Sequence, residues 1–260
     1  MIRKNSRISQ NRRRELIREE LLNNGEIFKD KLAKEFNVSG MTIHRDIELL
    51  VSDGEAFRTC GGAALAKRLT FEFSFQGKQQ EKQKQKKQIA KEVLKYIKDG
   101  NTIMLDTGTT TLEIAKELIG KRKVTVITTS LAIVSEVQFA PNIKVILLGG
   151  FLRGGSPDMH GPLTEQNVEQ FRTDMVFMGA DAIDCNGNTY TDDLQVVNLD
   201  KKMAANASKV IVVADSSKFK ASAMCKVLKP INYNSIITDS QINKNVLRQL
   251  KNKKINLKIV

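Results

Sequence analysis

The run Asp106-Thr107-Gly108-Thr109-Thr110-Thr111 brings a glycine and several hydroxyl side chains together immediately before a helical pattern. Glycine lets the backbone approach a ligand closely, and the following helix offers free N–H groups and the positive end of its dipole. The threonine hydroxyls add further hydrogen-bond donors. These properties suit a phosphate group, although threonine is also a common residue at the start of a purely structural helix.

Other polar residues also follow the ends of predicted strands. Lys218 could neutralise an anion there, and Asp106 and Asp181 could accept hydrogen bonds from sugar hydroxyls. Any of these residues alone could be structural or simply exposed. Because open α/β sheets bind ligands beyond the carboxyl ends of their strands, together they favour a ligand site at one edge of a sheet.

A second group of candidate residues lies in Val38–Leu50, which reads VSGMTIHRDIELL. Ser39 has the side chain of a helix N-cap, and apolar residues recur with the spacing of one helical face at Ile43, Ile47 and Leu50. The opposite side carries groups that mostly offer hydrogen bonds or positive charge: Met41, Thr42, His44, Arg45 and Glu48. A short helix of this kind can read base edges in a DNA groove.

The neighbouring segments predict a winged helix-turn-helix. Phe28–Phe36 has a second apolar helical stripe, and Asn37-Val38 forms the turn between the two helices. Arg12–Asn23 predicts the first helix of a three-helix unit. Glu55–Gly62 reads as a short β-hairpin that would form the wing. Arg58 on this hairpin could contact a phosphate or the minor groove, or be an ordinary surface residue.

The charge of the chain is strongly positive. The formal net charge is +13 and the pI is near 9.6, so the molecule is attracted to polyanions. The first fourteen residues hold six cations, Arg12 and Arg13 among them, and no acidic residue. A basic run is more often a solvated surface than a binding site, but beside a helix-turn-helix it favours contacts with DNA phosphates.

From residue 102 onward, short apolar runs alternate with helical patterns. The predicted strands are Thr102–Asp106, Val124–Thr128, Lys144–Leu148, Met175–Met178, Val210–Ala214 and Ser235–Thr238. Helical patterns between them include Leu112–Ile119 and Leu131–Val137. This alternation predicts an α/β domain with a doubly wound, mostly parallel sheet covered by helices.

Residues 63–88 separate the two patterns, and we predict a linker there. Phe71, Phe73 and Phe75 alternate with polar residues, which predicts a short strand. Glu81–Gln88 is rich in lysine and glutamine and predicts a solvated helix start that continues as a buried helix to Asp99-Gly100. Direct contact of these lysines with DNA is the alternative.

Other sequence features argue against several classes of protein. The chain has neither GxGxxG after its first predicted strand nor GxxxxGK[ST], so dinucleotide-binding and P-loop folds are not supported. Its three cysteines are widely spaced, which predicts reduced thiols and no zinc site. We expect no cofactor and no catalytic residue set. The absence of a secretory pattern and of an 18-residue apolar run predicts a cytoplasmic protein without membrane contact.

The segment VSGMTIHRDIELLVSDGEAFRTCGGA resembles the N-terminal signature of DeoR-family bacterial transcription regulators. LDTGTTT, VITTS, LLGG, MGADAID and VVADSSKF continue the resemblance over nearly the whole chain. It implies a winged helix-turn-helix followed by a sensing domain similar to ribose-5-phosphate isomerase and glucosamine-phosphate deaminase. It also implies a regulator, usually a repressor of sugar-catabolic genes, that binds operator DNA as a homo-dimer or homo-tetramer and responds to a phosphorylated sugar effector.

The resemblance also assigns residues to the two sites. The effector site would comprise Asp106, Gly108, Thr109, Thr110, Thr129, Ser130, Asp181 and Lys218. The DNA site would comprise Ser39, Thr42, His44 and Arg45, to which the residue patterns add Met41, Arg58, Arg12 and Arg13. Three positions depart from the family: His44 where arginine is usual, Cys60 where histidine is usual, and Ser130 where asparagine is frequent. At position 44 the bidentate guanine contact of an arginine is lost.

The expected domains are a winged helix-turn-helix over residues 1–62, a linker over 63–88 and an α/β phosphosugar-sensing and oligomerisation domain over 89–260. Two other functions stay open. The second domain could be an active sugar-phosphate isomerase or deaminase, although no convincing acid–base set is visible. The chain could also be an architectural DNA-binding protein that senses no ligand. A turnover assay would identify the first, and the lack of any ligand-induced thermal shift would identify the second.

Overall fold

A computed structural model describes residues 9–53, 55–65, 75, 77–154 and 156–260. The chain divides between Ser74 and Phe75 into two compact units. The expected linker over 63–88 therefore contributes residues to both units. Phe71 and Phe73 of the predicted short strand lie outside the described residues, whereas Phe75 is helical and packs against the core of the second unit.

The first unit combines helices with a small antiparallel sheet. Its elements are α1 (Gln10–Asn24), β1 (Glu26–Phe28), α2 (Lys29–Glu35), α3 (Gly40–Ser52), β2 (Ala56–Thr59) and β3 (Gly62–Leu65). The strand order is β1-β3-β2, with both pairings antiparallel. Helices α2 and α3 with the β2–β3 hairpin confirm the predicted winged helix-turn-helix.

One compact apolar core holds the first unit together. It contains Ile17, Leu21, Ile27, Leu32, Ile43, Ile47, Leu50, Ala56 and Ala63. Burying each isoleucine or leucine side chain of this core contributes about 1.5–3 kcal/mol. Every element of the unit supplies at least one of these residues, so the position of α3 depends on the whole core.

The small sheet differs from the prediction in two respects: it has an additional strand, β1, and its strand β3 is longer than expected. Strand β1 was not predicted, because three residues are too few to show an alternating pattern. Strand β3 extends to Leu65, so residues 63–65 are part of the wing and not of a linker. Gly62 permits the pairing of β3 with β1, since a Cβ at this position would lie 1.8 Å from the carbonyl oxygen of Ile27.

Helix α4 spans Gln83–Val93 and is shorter than predicted. It starts after Lys82, which has a left-handed backbone with φ of 51°. Beyond Val93 the N–H groups of Lys95 and Tyr96 donate to carbonyls three residues earlier, so the chain tightens into turns before Ile97. The prediction of a continuous helix to Asp99 was therefore wrong.

The second unit is an α/β domain. After α4 its helices are α5 (Thr109–Leu118), α6 (Leu131–Val137), α7 (Pro162–Glu169), α8 (Leu194–Ala205) and α9 (Lys244–Asn252). Its strands are β4 (Thr102–Leu105), β5 (Val124–Thr128), β6 (Ile143–Leu147), β7 (Phe151–Leu152), β8 (Met159–His160), β9 (Met175–Met178), β10 (Ala182–Ile183), β11 (Thr189–Thr191), β12 (Val210–Val213), β13 (Cys225–Lys226), β14 (Ser235–Thr238) and β15 (Leu257–Ile259). Short 3₁₀ turns occupy Ser216–Phe219 and Pro230–Asn232.

A seven-stranded sheet organises this unit, in the order β15-β14-β12-β9-β4-β5-β6. All of its pairings are parallel. The chain proceeds from β4 outward through β5 to β6, then returns to the other side of β4 and continues from β9 outward to β15. The winding direction therefore reverses between β4 and β9, which is the place where open α/β sheets form a ligand crevice.

Both faces of the sheet are covered by apolar layers. Along β4, Ile103 and Leu105 pack in one layer and Met104 in the other, and β9 alternates in the same way. Strands buried on both faces read as continuous apolar runs, and these central strands were predicted on that basis. The two-residue and three-residue strands of the smaller sheets and the edge strand β15 were not predicted, because they have no such run.

Candidate functional site

Helix α3 is positioned by its N-cap and by its apolar face. The Oγ of Ser39 accepts a hydrogen bond from the N–H of Thr42 at 3.2 Å and lies 2.9 Å from the Thr42 hydroxyl. The apolar face packs into the core through Ile43, Ile47 and Leu50, as their spacing predicts. The remaining face of α3 is turned toward solvent.

The solvent-facing side of α3 holds the residues predicted to read DNA. Met41 is 62% exposed and Arg45 is exposed, whereas Thr42 and His44 are half-buried. Among the described residues, no carboxylate forms an ion pair with Arg45. Its guanidinium is thus available for the two parallel hydrogen bonds that arginine makes to guanine.

Asp46 lies on the inner side of α3 and is fully buried. Its carboxylate accepts hydrogen bonds from Nε of Arg13 at 2.6 Å and from Nε of Arg14 at 3.1 Å. These ion pairs join α1 to α3, and a buried carboxylate requires such compensation. Arg13 is only 7% exposed, so the prediction that it contacts DNA is not supported by its position. Asp46, which pairs with Arg13 inside the unit, lies 33 residues later in the sequence.

Arg12, the preceding residue, has a different environment. It is exposed, and its Nη1 donates to Glu15 at 2.9 Å on the same face of α1. An exposed pair at this spacing is weak and opens readily. Arg12 therefore remains part of the basic surface.

The wing is connected to α3 through Arg58. Its Nε donates to Oε1 of Glu48 at 2.5 Å, its Nη2 also contacts that oxygen, and its Nη2 lies 3.3 Å from Nε2 of His44. His44 and Glu48 are one helical turn apart, so they lie side by side on α3. This three-residue contact was not visible in the sequence, since Arg58 comes from another element.

In the second unit, the loops after β4, β5 and β9 meet at the position where the winding reverses. Asp106 lies at the centre of these loops. Its Oδ1 accepts from the N–H of Gly108 at 3.0 Å and from the hydroxyl of Thr111 at 2.7 Å, and its Oδ2 accepts from the N–H of Gly179. Burial raises the pKa of Asp106, and these three donors oppose the rise. Asp106 thus fixes the relative positions of two strand-end loops.

The N–H of Gly108 is engaged by Asp106 and by Thr111, so it is not a free donor for an anion. Helix α5 starts at Thr109, and its first N–H groups have no acceptor within the helix. Thr109 is half-buried, whereas Thr110 and Thr111 are buried. The loop N–H of Gly108 is therefore excluded as a phosphate ligand, and the first turn of α5 remains the candidate position. Thr109 is the most accessible residue of this turn.

The loop after β5 contributes Thr129 and Ser130, both of which are buried. The hydroxyl of Thr129 lies 3.2 Å from that of Thr107, which connects this loop to the loop after β4. The Oγ of Ser130 accepts from the N–H of Ile133 at 3.3 Å and so caps α6. Ser130 thus has a structural use in addition to the contact that was predicted.

Asp181 follows β9 and is half-buried. Its Oδ2 accepts from the hydroxyl of Thr191 at 3.0 Å, and its Oδ1 lies 3.6 Å from Nζ of Lys78. Lys78 belongs to the segment that precedes α4, so this segment reaches the carboxyl end of the sheet.

Lys86 on α4 is only 3% exposed, and its ammonium donates to the carbonyl oxygen of Lys78. The prediction that this lysine run is a solvated surface was wrong at Lys86. Burial lowers its pKa, Asp215 opposes that effect, and Lys218 adds to it. Lys218 is half-buried on the 3₁₀ turn after β12, which Asp215 caps through the N–H of Ser217 at 3.0 Å. Lys218 is therefore within electrostatic range of Lys86, near the carboxyl end of β12.

A further group of charged residues was not predicted. Arg153 donates to both oxygens of Asp158 at 2.9 Å and to Asp193 at 2.8 Å, and its side chain is 13% exposed. Asp200 on α8 lies near this group: burial raises its pKa well above the usual range, Asp106 adds to that rise and Arg153 opposes it. No sequence pattern predicted this cluster, because its members come from separate loops and from α8.

The model of the DeoR-like helix-turn-helix domain matches residues 13–68, and that of the DeoR C terminal sensor domain matches residues 81–240. The chain belongs to the DeoR family of transcriptional regulators. Its relatives include the HTH-type transcriptional repressor CsqR of Escherichia coli K12, 31% identical over 81% of this chain and 80% of the relative. The glycerol-3-phosphate regulon repressor of the same strain is 27% identical over 90% of this chain and 93% of the relative.

Among solved structures, ribose 5-phosphate isomerase A of Methanocaldococcus jannaschii is similar, with 23% identity and a TM-score of 0.38. The similarity covers 52% of this chain and 53% of the isomerase. Within the described residues of this DeoR-family chain, no helix is long and apolar enough to cross a membrane.

Proposed function

We propose that this DeoR-family protein represses an operon for sugar metabolism and that a phosphorylated sugar bound to the second unit controls its affinity for operator DNA. The observation that carries this proposal is the convergence of the loops after β4, β5 and β9 on the place where the sheet reverses its winding. Acting on chromosomal DNA, the protein would work in the cytoplasm.

The first turn of α5 is the proposed phosphate position. It supplies backbone N–H groups and the hydroxyl of Thr109, and helix dipoles favour an anion at such a position. Lys86 and Lys218 would supply positive charge, because α4 packs along α5 and both lysines lie near the same end of the sheet. The glycerol-3-phosphate regulon repressor is named for a phosphorylated polyol, which supports an effector of this class.

The sugar hydroxyls would be bound by carboxylates. Asp181 has one oxygen directed to Thr191 and the other only 3.6 Å from an exposed lysine, so it can accept a further hydrogen bond. Asp200 forms no hydrogen bond with the described residues and is a second candidate, as a carboxyl group whose raised pKa favours the protonated form, which can donate as well as accept. Asp106 would act mainly by holding the loops after β4 and β9, since both of its oxygens already accept hydrogen bonds.

Lys78 would couple this site to the segment that leads from the DNA-binding unit. It contacts Asp181 through its ammonium and Lys86 through its carbonyl oxygen, and it lies in the segment that leads from the first unit into α4. An effector that hydrogen-bonds to Asp181 would compete with Lys78 and so release this segment. A ligand can shift such an equilibrium only by its different affinity for the two states.

On DNA, α3 would enter the major groove, with Arg45, Thr42, His44 and Met41 toward the bases. Arg12, Ser39 and Arg58 would contact phosphates, which set the register but carry no sequence information. A homo-dimer or homo-tetramer would place two such helices on successive half-sites about one helical turn apart, or a multiple of that distance.

The decisive experiment is a thermal-shift screen of the full chain against pentose, hexose, hexosamine and triose phosphates, each beside its unphosphorylated parent. A ligand at about 100 times its Kd stabilises the folded state by about 2.7 kcal/mol. A hit restricted to one phosphorylated sugar, which also changes the Kd for promoter DNA, is the expected result. Each hit is then incubated with the protein and assayed for chemical turnover. A panel without hits, or a hit that the protein converts to a product, would contradict the proposal.

A further inference from the structure

The contact between Glu48, Arg58 and His44 lies on the side of α3 that we propose faces DNA, and it includes a carboxylate. Negative charge on such a surface opposes binding, because DNA carries one phosphate charge per about 1.7 Å of helix axis. The stability of the unit does not explain this carboxylate. Glu48 and Arg58 are 43% and 53% exposed, and exposed ion pairs contribute little. Its contacts with Arg58 point to a different use.

Arg58 is fixed at both ends. Its backbone lies in β2, where it pairs with Ala63, a residue fully buried in the core. Its guanidinium is held by Glu48 through Nε and Nη2, and Nη2 also contacts Nε2 of His44. The N–H groups on Nη1 have no hydrogen-bond acceptor among the described residues. Arg58 therefore has a defined direction and retains donors for DNA.

We infer that Glu48 is a specificity-determining residue that acts through Arg58: it orients the wing arginine for one register on DNA and restrains it from contacting phosphates at random. The inference depends on the DNA-binding role of α3 and is independent of any sugar effector. Non-specific binding is driven by the release of counterions from phosphates, so an arginine that is paired with a carboxylate contributes less to it. In the specific complex, the ion pair with Glu48 holds the Arg58 guanidinium in the orientation in which its Nη1 N–H groups can donate to DNA.

His44 completes this arrangement. A ring nitrogen that accepts a hydrogen bond from Arg58 must be unprotonated, and an arginine at position 44 would instead place a second cation beside the first. The departure of His44 from the family pattern is thus compatible with a guanidinium held at this position by Glu48.

The test compares full-length wild type with Glu48→Gln on two duplexes, one selected by the wild-type protein from a random pool and one of scrambled sequence. Fluorescence anisotropy is recorded over a series of salt concentrations. We expect Glu48→Gln to bind the scrambled duplex more tightly, with a salt slope steeper by about one. Binding to the selected duplex should not improve, so the ratio of the two Kd values falls about tenfold.

Glu26→Gln is the matched control. It removes the same charge from an exposed residue of β1, at the opposite edge of the small sheet from Arg58. It should leave the Kd ratio unchanged, and Glu48→Asp should restore part of the ratio. A Glu48→Gln variant that shifts both Kd values by the same factor would overturn the inference, because charge alone would then explain the result.

A double-mutant cycle with Arg58→Gln tests whether Glu48 acts through Arg58. In the Arg58→Gln background, Glu48→Gln should no longer alter the Kd ratio. If the change persists, Glu48 contacts the bases itself, as a carboxylate can with cytosine, and the positioning role is refuted.

Discussion

The Nε of Arg13 lies 2.6 Å from Oδ2 of Asp46 inside the first unit, and both residues are buried. We predict that Arg13→Ala lowers the free energy of unfolding of this unit by about 3 kcal/mol, since removing one partner leaves a buried charge with too little compensation. Hydrogen exchange of the amides in α1 and α3 measures this free energy directly.

Arg12→Ala is the matched control for that experiment, because it removes the same charge from the neighbouring residue, whose ion pair is exposed. Its effect should stay within about 0.5 kcal/mol. Replacing the pair together, in Arg13→Met with Asp46→Asn, should cost less than the sum of the single changes. Equal effects of Arg12→Ala and Arg13→Ala would contradict the assigned role of Arg13.

Arg45 is exposed on the solvent-facing side of α3, which we propose enters the major groove. We predict that Arg45→Ala weakens binding to the selected duplex by about 1–3 kcal/mol and relaxes the sequence preference at one base pair. Lys34→Ala, an exposed change on α2, should alter binding far less. A gel-shift titration measures both variants, and an unchanged Kd for Arg45→Ala removes this residue from the interface.

Local patterns were sufficient to predict several features of the chain. The cap at Ser39 and the inward face of Ile43, Ile47 and Leu50 depend only on neighbouring residues, and the structure confirms them. The same holds for β4, in which Ile103, Met104 and Leu105 form a continuous buried run. In each case the residues that form the sequence pattern are the same residues that form the structural feature, or lie within a few positions of them.

The features that were missed depend on partners distant in sequence. Arg13 and Lys86 were read as surface cations, because nothing near them in sequence reveals Asp46 or the carbonyl of Lys78. The cluster of Arg153 with Asp158 and Asp193 needs the relative positions of two loops. A charged residue therefore cannot be assigned to a surface from its own segment alone.

Thr109 and Lys218 were predicted to bind the effector, and their partly exposed positions allow it. We predict that Thr109→Ala and Lys218→Ala leave the Kd for DNA unchanged and raise the Kd for the effector by more than about tenfold. This is the effect expected when one charge-assisted hydrogen bond is lost. Lys220→Ala, an exposed change two residues further on, is the control. A full effector response in both test variants would remove the first turn of α5 from the site.

Asp200 should make stability depend on pH. Burial raises its pKa well above the usual range, so the folded state holds a proton that the unfolded state releases at a pH of about 3.9. Stability from this group is therefore lost as pH rises from that value through the raised pKa. Asp200→Asn should raise the Tm at pH 8 by at least about 2 °C and have less effect near pH 4.5.

Asp192→Asn is the control for the pH experiment, because Asp192 is exposed. The two asparagine variants remove the same charge, so the difference between their Tm values at each pH isolates the effect of Asp200. Parallel curves for wild type and Asp200→Asn would mean that the carboxylate is ionised without penalty in the folded protein.

Lys78 connects Asp181 to the segment that precedes α4, and its removal should imitate the effector in part. We predict that Lys78→Ala changes the Kd for DNA, in the absence of effector, toward the value that wild type shows with effector bound. The change should be no more than about fivefold, because an exposed ion pair contributes at most about 1 kcal/mol. The remaining effector response should shrink by the same factor, since coupling is set by the difference between the two states. Lys84→Ala, exposed on α4, serves as the control, and a Lys78→Ala variant with both the wild-type Kd and the full response would exclude this route.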